Sequence, residues 1–357
     1  MSTAPSPRSL LNVVALQNSK KTLLAKNGQK LGLDGSDRWR SELEQSETAA
    51  LPLERLVEEL QQIQQVRKRH VVVVDNTSND AVASFYPRFM QSGFSVVTPN
   101  KKAFSGSLEL YSHILHATLT QSGSSMRSPL VYGESTVGAG LPILTTLDDL
   151  VMTGDQVQRI EGVLSGTLSY IFNEFSPPGG SDRKFSDIVR VARENGYTEP
   201  HPGDDLSGTD VARKLTILSR VVPELANVLP EGYSSVDTKS LTPEPLANEQ
   251  NADTFVSRLA EFDAHFDKLR AEAQSKNCVL RYVGVIDVPT RTVKASLETY
   301  PATHSFATSL GGSDNIISFS TKRYSNRPLL IQGAGAGAEV TAMGVVADLL
   351  RVARCYA

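Results

Sequence analysis

The sequence predicts an α/β protein of two domains, in which a Rossmann-like parallel sheet is followed by an α+β domain. Its 357 residues are enough for two hydrophobic cores. Short apolar runs alternate with helical stretches up to about residue 140, whereas helices are grouped apart from strands beyond it. We therefore place the domain limits at 1–140 and 141–327, followed by a C-terminal segment, 328–357.

The composition excludes several classes of protein. The chain is 40% hydrophobic and 21% charged with a formal net charge of −3, so a basic surface for nucleic acid is not expected. No apolar run approaches the roughly 18 residues that a membrane span needs, and the opening MSTAPSPRSL holds no hydrophobic signal core. Cys278 and Cys355 are too far apart for a disulfide framework. We expect a cytoplasmic protein with no membrane or nucleic-acid partner.

In the first domain, apolar runs that end in polar residues predict parallel strands. The segment LNVVALQNS (11–19) is predicted to be a strand, and PLERLVEELQQIQQV (52–66) an amphipathic helix. Four branched residues open VVVVDNTS (71–78), which is typical of a strand buried on both faces. The same plan recurs in FSVVTPNKK (94–102) and LVYGES (130–135). Because ligands bind at the carboxyl ends of parallel strands, the polar residues that close these runs are candidates for a binding site.

The second domain is predicted to contain helices and a mostly antiparallel sheet. A strand, QRIEGVLSG, leads into the helix TLSYIFNEF; a second helix spans FSDIVRVARENG, and a third begins near Ser207. One long helix is predicted for TFVSRLAEFDAHFDKLRAEAQ. Four strands are predicted after it: CVLRYVGVIDV, TVKASLET, NIISFSTKRY and PLLIQG. Helices and strands that are segregated in this way are typical of an α+β domain.

The most polar stretch is GYTEPHPGDDLSGTDVARKLTILS, residues 196–219. If its helix begins near Ser207, Asp210 and Lys214 are four residues apart and share one face. Such a pair is usually a surface ion pair that adds well under about 1 kcal/mol, but the apolar LTILS that follows indicates an inward face. Carboxylates around one ammonium suit a small zwitterion, whose amino group they hold while the lysine meets a developing oxyanion. Three more carboxylates precede the helix: Glu199, Asp204 and Asp205.

Two loops carry further polar groups. Lys101 and Lys102 close the strand FSVVTPNKK. The simpler interpretation is that they are two solvated lysines on a loop. Their position at the carboxyl end of a strand weakens that interpretation, because ligands bind at such ends. Glu134 begins a glycine-rich turn, ESTVGAGLP, whose backbone carbonyls can turn inward. One carboxylate with several carbonyls suits a monovalent or weakly held cation better than a tight calcium site. A plain turn is the alternative interpretation.

The glycine run GAGAGAEVT (333–341) fits the G-x-G-x-x-G/A pattern of a dinucleotide-binding turn. That turn normally joins the first strand and helix of a βαβ unit, but only one helix fits after Gly337. The sequence holds neither G-x-S-x-G nor the P-loop pattern, and His113 and His116 have no accompanying carboxylate for zinc. Serine hydrolases, P-loop enzymes and zinc enzymes are therefore not expected.

Seven segments, in order along the chain, resemble homoserine dehydrogenases of the short fungal form, which has neither a fused kinase nor a C-terminal regulatory domain. They are VDNTS, TPNKKAFSG, ESTVGAGLP, EGVLSGTLSYIFNEFS, GYTEPHPGDDLSGTDVARKLTIL, GSDNIISFSTKRY and IQGAGAGAEVTAMGVVADLL. SGTLSYIFNEF and DDLSGTDVARK are highly specific, and the resemblance runs from about Asn12 to the end. It implies a dimeric, NAD(P)-dependent enzyme that interconverts L-homoserine and L-aspartate 4-semialdehyde in threonine, methionine and isoleucine biosynthesis.

The resemblance also implies roles for single residues. Lys214 is the acid that protonates the carbonyl oxygen of the substrate. Glu199 and Asp210 bind the substrate amino group, and Lys101 lies close to the reacting centre, in reach of substrate and cofactor. These roles agree with the interpretation of the acidic stretch given above. By the same resemblance, the first domain binds the nucleotide, and the second is the catalytic and dimerisation domain.

Cofactor and cation sites follow from the same resemblance. Thr77 and Gly337 contact the cofactor, so the late glycine run is a return of the chain towards the first domain and not the primary pyrophosphate turn. A possible sodium site corresponds to one carboxylate and three backbone positions, which are Glu134, Val137, Ala139 and Leu141.

The sequence departs from the family at its start. The family's glycine turn precedes the strand predicted at LNVVAL, and MSTAPSPRSL, with two prolines and no glycine, cannot supply it. We therefore expect a first domain without its first βα unit, which binds NAD(P)H weakly or folds poorly because the pyrophosphate loses its helix N-terminus. An inactive relative, acting only as a fold or dimerisation partner, is the alternative to an enzyme. In place of an acidic residue for the ribose, Ser19, Lys20 and Lys21 would tolerate a 2′-phosphate, so NADP and NAD are both open.

Overall fold

The computed structural model describes residues 11–25, 29–32, 38–119 and 128–356. They fall into two compact units, each drawn from separate parts of the chain. Unit 1 is drawn from Met1–Thr98, Ser112–Tyr132 and Val346–Ala357, and unit 2 from Pro99–Tyr111 and Gly133–Val345. The domain limits expected from the sequence remain predictions. Within the ranges described, no helix is long and apolar enough to cross a membrane.

The strands and helices are numbered here in chain order. The strands are β1 Ala15–Gln17, β2 Thr22–Leu24, β3 Val72–Val74, β4 Ser95–Val97, β5 Val131–Tyr132, β6 Val157–Val163, β7 Asp237–Thr238, β8 Cys278–Asp287, β9 Thr292–Pro301, β10 Asp314–Thr321 and β11 Leu329–Ala334. The α-helices are α1 Arg38–Glu44, α2 Leu53–Arg67, α3 Asp80–Ser84, α4 Tyr86–Gln91, α5 Lys102–Ser105, α6 Leu108–Leu119, α7 Ile143–Met152, α8 Gly166–Phe175, α9 Phe185–Glu194, α10 Pro202–Leu206, α11 Thr209–Val221, α12 Ala252–Leu259, α13 Asp263–Gln274, α14 Ser305–Thr308 and α15 Ala338–Tyr356.

Unit 1 contains a three-stranded parallel sheet in the order β3-β4-β5. β4 is buried along its length because it has a neighbour on each side. The prediction that the VVVV run is buried on both faces is wrong for β3. Among the described residues β3 pairs with β4 alone, and Val74 keeps 38% of its surface exposed because nothing covers one side of this short edge strand.

The first predicted strand needs a larger correction. LNVVALQNS is a strand only over β1, which pairs antiparallel with β2 and does not join the parallel sheet described above. Asn18 makes the turn, because its Oδ1 accepts hydrogen bonds from the amides of Lys20 and Lys21, both at 2.8 Å. Thr22 Oγ1 donates to Gln17 Oε1 at 2.6 Å and ties the two strands together. The polar QNSKK run is therefore a hairpin turn.

Unit 2 contains a six-stranded sheet in the order β11-β10-β6-β8-β9-β7. Its neighbouring strands run antiparallel except β7 and β9, and the four strands predicted late in the chain are all confirmed. The long helix predicted at 254–274 is instead two helices, α12 and α13, joined by a 3₁₀ turn at Ala260–Phe262. The α/β class, with a parallel sheet in one unit and an α+β arrangement in the other, is confirmed.

An aromatic cluster joins α8, α9 and α13, and its members are Phe172, Phe175, Phe185 and Phe266. The rings of Phe185 and Phe266 stack with centroids 3.8 Å apart. The N-terminus of α8 is fixed separately by Ser165, whose Oγ accepts a hydrogen bond from the amide of Leu168 at 3.2 Å. Both ends of α8 are thus held, together with the backbone that enters it from β6.

Two glycines let α11 lie directly on the sheet. Gly208, just before the helix, has a φ of +76°, and a Cβ there would lie 2.0 Å from the hydroxyl of Tyr282. A Cβ at Gly284 on β8 would lie 2.8 Å from Cδ2 of Leu215. Side chains at these two positions would push the helix away from β8. Close contact with the sheet buries the middle of α11, including Lys214.

β11, the glycine run and α15 form one continuous strand-turn-helix segment late in the chain. Gly337, with a φ of +121°, makes the turn that leads into the helix. The first turns of α15 pack against the loop that precedes α7, because a Cβ at Gly140 would lie only 2.4 Å from the carbonyl oxygen of Val340. From Val346 onwards the helix belongs to unit 1.

Candidate active site

Lys214 is buried on the inner face of α11, with 6% of its surface exposed. Its Nζ donates to the backbone carbonyl oxygen of Leu164 at 2.6 Å and to Oδ2 of Asp210 at 2.7 Å. An ammonium group has three N–H donors, so the contacts within the described structure leave one of them free. Burial lowers the pKa of Lys214, and the carboxylate of Asp210 partly offsets this effect.

Asp210 bridges two lysines. Its Oδ2 meets Lys214, and its Oδ1 lies 3.3 Å from Nζ of Lys101. Partial burial opposes ionisation of Asp210, but the two ammonium groups outweigh this effect and lower the pKa of the carboxyl group. Its side chain is 48% exposed, so the carboxylate is held on one side and open on the other. Three of the residues predicted to act in catalysis and substrate binding therefore lie together.

Asp205, on the short helix α10, adds a second carboxylate near α11. Burial raises the pKa of Asp205 to about 6; hydrogen bonds from the Glu199 amide and from Thr167 lower it, and the charges of Glu199 and Asp210 raise it. The amide of Glu199 donates to Oδ2 of Asp205 at 2.8 Å. The side chain of Glu199 is exposed in the loop before α10. Carboxylates that raise one another's pKa in this way favour a bound cation such as an ammonium group.

Lys101 is placed by the helix that follows it. The carbonyl oxygen of Lys101 accepts a hydrogen bond from the amide of Phe104 at 3.0 Å and begins α5. Arg220, buried on α11, donates to the carbonyl oxygens of Phe104 at 2.5 Å and Gly106 at 2.6 Å. A cation at the C-terminal end of a helix also interacts favourably with the helix dipole. Arg220 thus fixes α5 to α11 and holds Lys101 within reach of Asp210.

Glu134 is a buried carboxylate at the N-terminus of α7. Its Oε1 accepts a hydrogen bond from the amide of Leu144 at 2.7 Å. Its Oε2 accepts from the amide of Thr145 at 3.0 Å and from the hydroxyl of the same residue. A carboxylate at this position satisfies helix amides that would otherwise lack a partner. The structure therefore gives Glu134 a clear structural function, whether or not it also binds a cation.

The three backbone positions of the predicted sodium site lie in the turn after Glu134. In the described structure no donor is paired with the carbonyl oxygens of Val137 or Ala139, whereas that of Leu141 accepts from the amide of Ile143 at 2.8 Å. Ala139 has a φ of +55°, which turns its carbonyl away from the usual direction. Across the described ranges there is no group of three or more His, Cys, Asp or Glu side chains that could hold a metal ion.

Thr77 lies in unit 1, in the exposed loop that follows β3. Its amide donates to Oδ1 of Asp75 at 2.8 Å, and its Oγ1 accepts from the amide of Asn79 at 3.1 Å. The hydroxyl of Tyr86 donates to the other oxygen of the buried Asp75 at 2.5 Å and helps to shape the loop. Because Oγ1 acts as an acceptor here, the hydroxyl proton of Thr77 can be donated to a ligand.

Comparison with known protein families accounts for both parts of the chain. A family model described as homoserine dehydrogenase matches residues 142–350. A second, described as the NAD-binding domain of homoserine dehydrogenase, matches residues 6–125. The chain belongs to the homoserine dehydrogenase family. It is therefore an oxidoreductase with an NAD-binding domain, as the resemblance of its motifs implied.

Similar proteins span nearly the whole chain. Homoserine dehydrogenase of Saccharomyces cerevisiae is 46% identical over 343 residues, which are 96% of this chain and 90% of that protein. The enzyme of Schizosaccharomyces pombe is also 46% identical, over 342 residues, 96% of this chain and 86% of that protein. A crystal structure of a Candida auris protein of unknown function superimposes with a TM-score of 0.86 at 44% identity, covering 97% of this chain and 91% of that one. A hyperthermophilic archaeal homoserine dehydrogenase in complex with NADPH shares the fold, with a TM-score of 0.66 at 19% identity over 97% and 89% of the two chains.

These findings confirm a homoserine dehydrogenase of the short fungal type, which interconverts L-homoserine and L-aspartate 4-semialdehyde. None of them favours the alternative of an inactive fold or dimerisation partner. The NAD-binding family model extends across the hairpin of β1 and β2 and the parallel sheet up to β4. The expectation that this chain binds NAD(P)H weakly remains a prediction.

Sequence reasoning gave no role to several groups that complete the site. Asp205 was noted only as part of an acidic concentration, although it lies in the specific DDLSGTD segment. Thr167, which contacts Asp205, lies in the SGTLSY segment. The high specificity of these two segments was the signal from which both residues could have been identified. The carbonyl of Leu164 carried no such signal, because a backbone oxygen is common to every residue. Arg220 was missed because its partners lie more than a hundred positions away.

Proposed function

We propose that Lys214 transfers the proton in the homoserine dehydrogenase reaction. The observation that carries this role is a buried ammonium with two N–H groups engaged and one free. A nicotinamide cofactor, when bound, supplies or accepts the hydride. As the aldehyde is reduced, negative charge develops on its oxygen, and the free N–H of Lys214 stabilises and then protonates it. In the opposite direction, neutral Lys214 accepts the hydroxyl proton of homoserine. Burial lowers the pKa of Lys214, which makes the ammonium a stronger acid and leaves more of the neutral form available as a base.

Binding of the substrate amino group is assigned to Glu199 and Asp210, with Lys101 beside the reacting centre. With Asp205 ionised, the carboxylates of Glu199, Asp205 and Asp210 outnumber the ammonium groups of Lys101 and Lys214 by one, and the substrate ammonium would neutralise that negative charge. The open side of Asp210 provides lone pairs that its two lysines do not use. This charge balance favours an amino acid over a substrate that lacks an amino group.

Replacing Asp210 by alanine tests the assignment. Loss of a charged hydrogen-bond partner of about 1.5–3 kcal/mol should raise KM for homoserine by roughly 10- to 100-fold. KM for the cofactor should be nearly unchanged, because the lost charge faces the amino group. Asp204→Ala removes an exposed neighbouring carboxylate on α10 and is the matched control. Steady-state kinetics with homoserine and with the cofactor compares the two variants. An unchanged KM for homoserine in Asp210→Ala contradicts the proposal that Asp210 binds the amino group.

Cofactor contacts are proposed for Thr77, Lys101 and Gly337. The available hydroxyl of Thr77 at the carboxyl end of a parallel strand supports the first, since such ends receive nucleotides. The ammonium group of Lys101 offers a positive charge to the cofactor. The turn at Gly337, which joins a strand to a helix, lets the backbone approach the cofactor closely. Fluorescence titration with NADPH should show weaker binding for Thr77→Val than for the unmodified chain, and equal affinities remove Thr77 from the set.

Selectivity for the 2′-phosphate of NADP is proposed to depend on the hairpin turn between β1 and β2. Lys21 already donates to the carbonyl oxygen of Ser46 at 2.7 Å. Ser19 and Lys20 are exposed and are better placed to meet an additional phosphate. We therefore favour NADP over NAD. The ratio of kcat/KM for NADPH and NADH should fall in Lys20→Ala, and a ratio that stays constant contradicts the proposal.

A sodium site is proposed in the turn after Glu134, formed by its carboxylate and the carbonyls of Val137, Ala139 and Leu141. Three hydrogen bonds already occupy the carboxylate, so a weakly held monovalent cation fits and a tightly bound divalent one does not. Thermal unfolding in NaCl and in choline chloride at equal ionic strength tests it. Sodium should raise the midpoint, and identical midpoints rule the site out.

A homodimer and a cytoplasmic location complete the proposal. The dimer rests on the resemblance to the family, and the location rests on a composition with few cysteines. Sedimentation equilibrium of the purified chain should give twice the mass of 38.7 kDa. A monomer at micromolar concentration would contradict the dimer.

A further inference from the structure

The carbonyl that holds Lys214 is itself held by a side chain to which the reaction assigns no part. The backbone oxygen of Leu164 accepts from Nζ of Lys214 at 2.6 Å and from Nδ2 of Asn315 at 3.1 Å. Leu164 lies between β6 and α8, and Asn315 is the second residue of β10. A single backbone oxygen therefore connects the strand β10 to the ammonium group on α11.

Asn315 has a fixed orientation. It is 1% exposed and stands opposite Gly333 in the ladder of β10 and β11. A Cβ at Gly335 would lie 2.1 Å from both Cγ and Nδ2 of Asn315, so the backbone of the glycine run lies against the amide. The amide nitrogen and oxygen cannot exchange places, because Oδ1 would then face another acceptor, the carbonyl oxygen of Leu164.

This orientation leaves Oδ1 of Asn315 buried and, in the described part of the chain, without a hydrogen-bond partner. Buried polar atoms are nearly always paired, and an unpaired one lowers the stability of the fold. An apolar side chain on β10 would avoid that loss. The hydrogen bond from Nδ2 is therefore the contact that explains an amide here, and it is directed at the carbonyl that holds Lys214.

We propose that Asn315 is a positioning residue for Lys214. A carbonyl oxygen has two lone pairs, and Asn315 and Lys214 each use one, so the amide fixes the direction in which the ammonium is held. Asp210 and Lys101 are the charged groups that face Lys214, and neither contacts the carbonyl of Leu164. With two N–H groups set by Leu164 and Asp210, the third is directed to the substrate oxygen. The inference rests on the proposed role of Lys214 as proton donor.

Two variants test the proposal from different sides. Asn315→Ala removes the hydrogen-bond donor to the carbonyl of Leu164. Its kcat should fall by about 10- to 100-fold, because a misdirected catalytic group lowers the rate. Its KM for homoserine should stay nearly constant. Asn315→Asp keeps the size but lacks the N–H and adds a carboxylate within the roughly 4–6 Å at which a charge shifts a pKa. It should raise the pKa of Lys214. Since protonated Lys214 is the active form for aldehyde reduction, the loss of rate at high pH should move to higher pH.

Ile316→Val provides the matched control. Ile316 is buried on the same strand, its side chain points to the opposite face, and it packs in an apolar cluster with Val163, Val283, Val285 and Phe306. Its kcat and pH profile should remain those of the unmodified enzyme. Far-UV circular dichroism establishes that each variant is folded. If Asn315→Ala is not folded, Asn315→Asp tests the proposal in its place.

The outcomes separate this proposal from the one it rests on. If Asn315→Ala keeps the kcat of Ile316→Val, or Asn315→Asp keeps the unmodified pH profile, Asn315 does not position Lys214. In that case Lys214→Ala is still inactive. If Lys214→Ala is itself active, the assignment of the proton donor has failed instead. A fall in kcat accompanied by an equal rise in KM would also overturn the proposal, because it would indicate general damage to the substrate site.

Discussion

Replacing Lys214 by alanine is expected to lower kcat by about 10²- to 10⁴-fold, the usual contribution of a positioned general acid. KM for the substrate should change little, since the proposed binding of its amino group by Glu199 and Asp210 does not involve Lys214. Lys214→Met keeps most of the buried volume and should show the same loss, which separates proton transfer from packing. Steady-state kinetics in the direction of aldehyde reduction provides the measurement. A variant that retains more than about a tenth of the original kcat would remove Lys214 from this role.

The pH dependence of the unmodified enzyme should carry the signature of the same group. Burial lowers the pKa of Lys214 from its ordinary value, and Asp210 partly opposes this shift. Aldehyde reduction needs the protonated form, so its rate should fall as the pH rises through that lowered pKa, while homoserine oxidation should gain over the same range. In Asp210→Asn the opposing charge is lost, so the fall in the reduction rate should occur at lower pH. An unshifted profile contradicts the coupling.

Replacing Arg281 by methionine is expected to lower the free energy of unfolding by about 3 kcal/mol or more. The side chain is fully buried, and burial lowers its pKa to about 10, so it is still charged at neutral pH. Within the described structure it forms no ion pair and donates instead to four backbone carbonyl oxygens. These belong to Phe306, Phe172, Ser176 and Leu280. Methionine would leave them without this donor in the interior of unit 2.

Urea unfolding followed by circular dichroism measures the effect of Arg281→Met. Arg258→Met is the control, because Arg258 is only partly buried and its ion pair with Glu261, at 3.2 Å, is expected to contribute less than about 1 kcal/mol. Similar losses in the two variants would show that the carbonyl contacts of Arg281 add little stability. A larger loss for Arg281 would identify it as the link between the C-terminal end of α8 and the chain around Phe306.

Much of the fold follows from local patterns in the sequence. Runs of branched apolar residues that end in polar residues predicted the strands of the parallel sheet. Runs rich in residues that favour strands, late in the chain, predicted β8 to β11. Period and spacing are properties of a few neighbouring residues, so no tertiary contact is needed to detect them. The same applies to Asp210 and Lys214, which the helical repeat places on one face, and to the specific motifs that indicated the family.

The tertiary structure alone decided the remaining features. Whether LNVVALQNS joins the parallel sheet or forms a hairpin with β2 depends on the pairing partner available, and strand periodicity is the same in both cases. The hydrogen bonds that position the site are accepted by the backbone carbonyl oxygens of Leu164, Phe104 and Gly106. Every residue has a backbone carbonyl, so the sequence does not indicate which ones take part. Their partners on α11 and β10 are brought to them by folding across long stretches of chain. The sequence determined which groups carry charge and which faces are apolar, and three-dimensional packing determined which oxygen each charge meets.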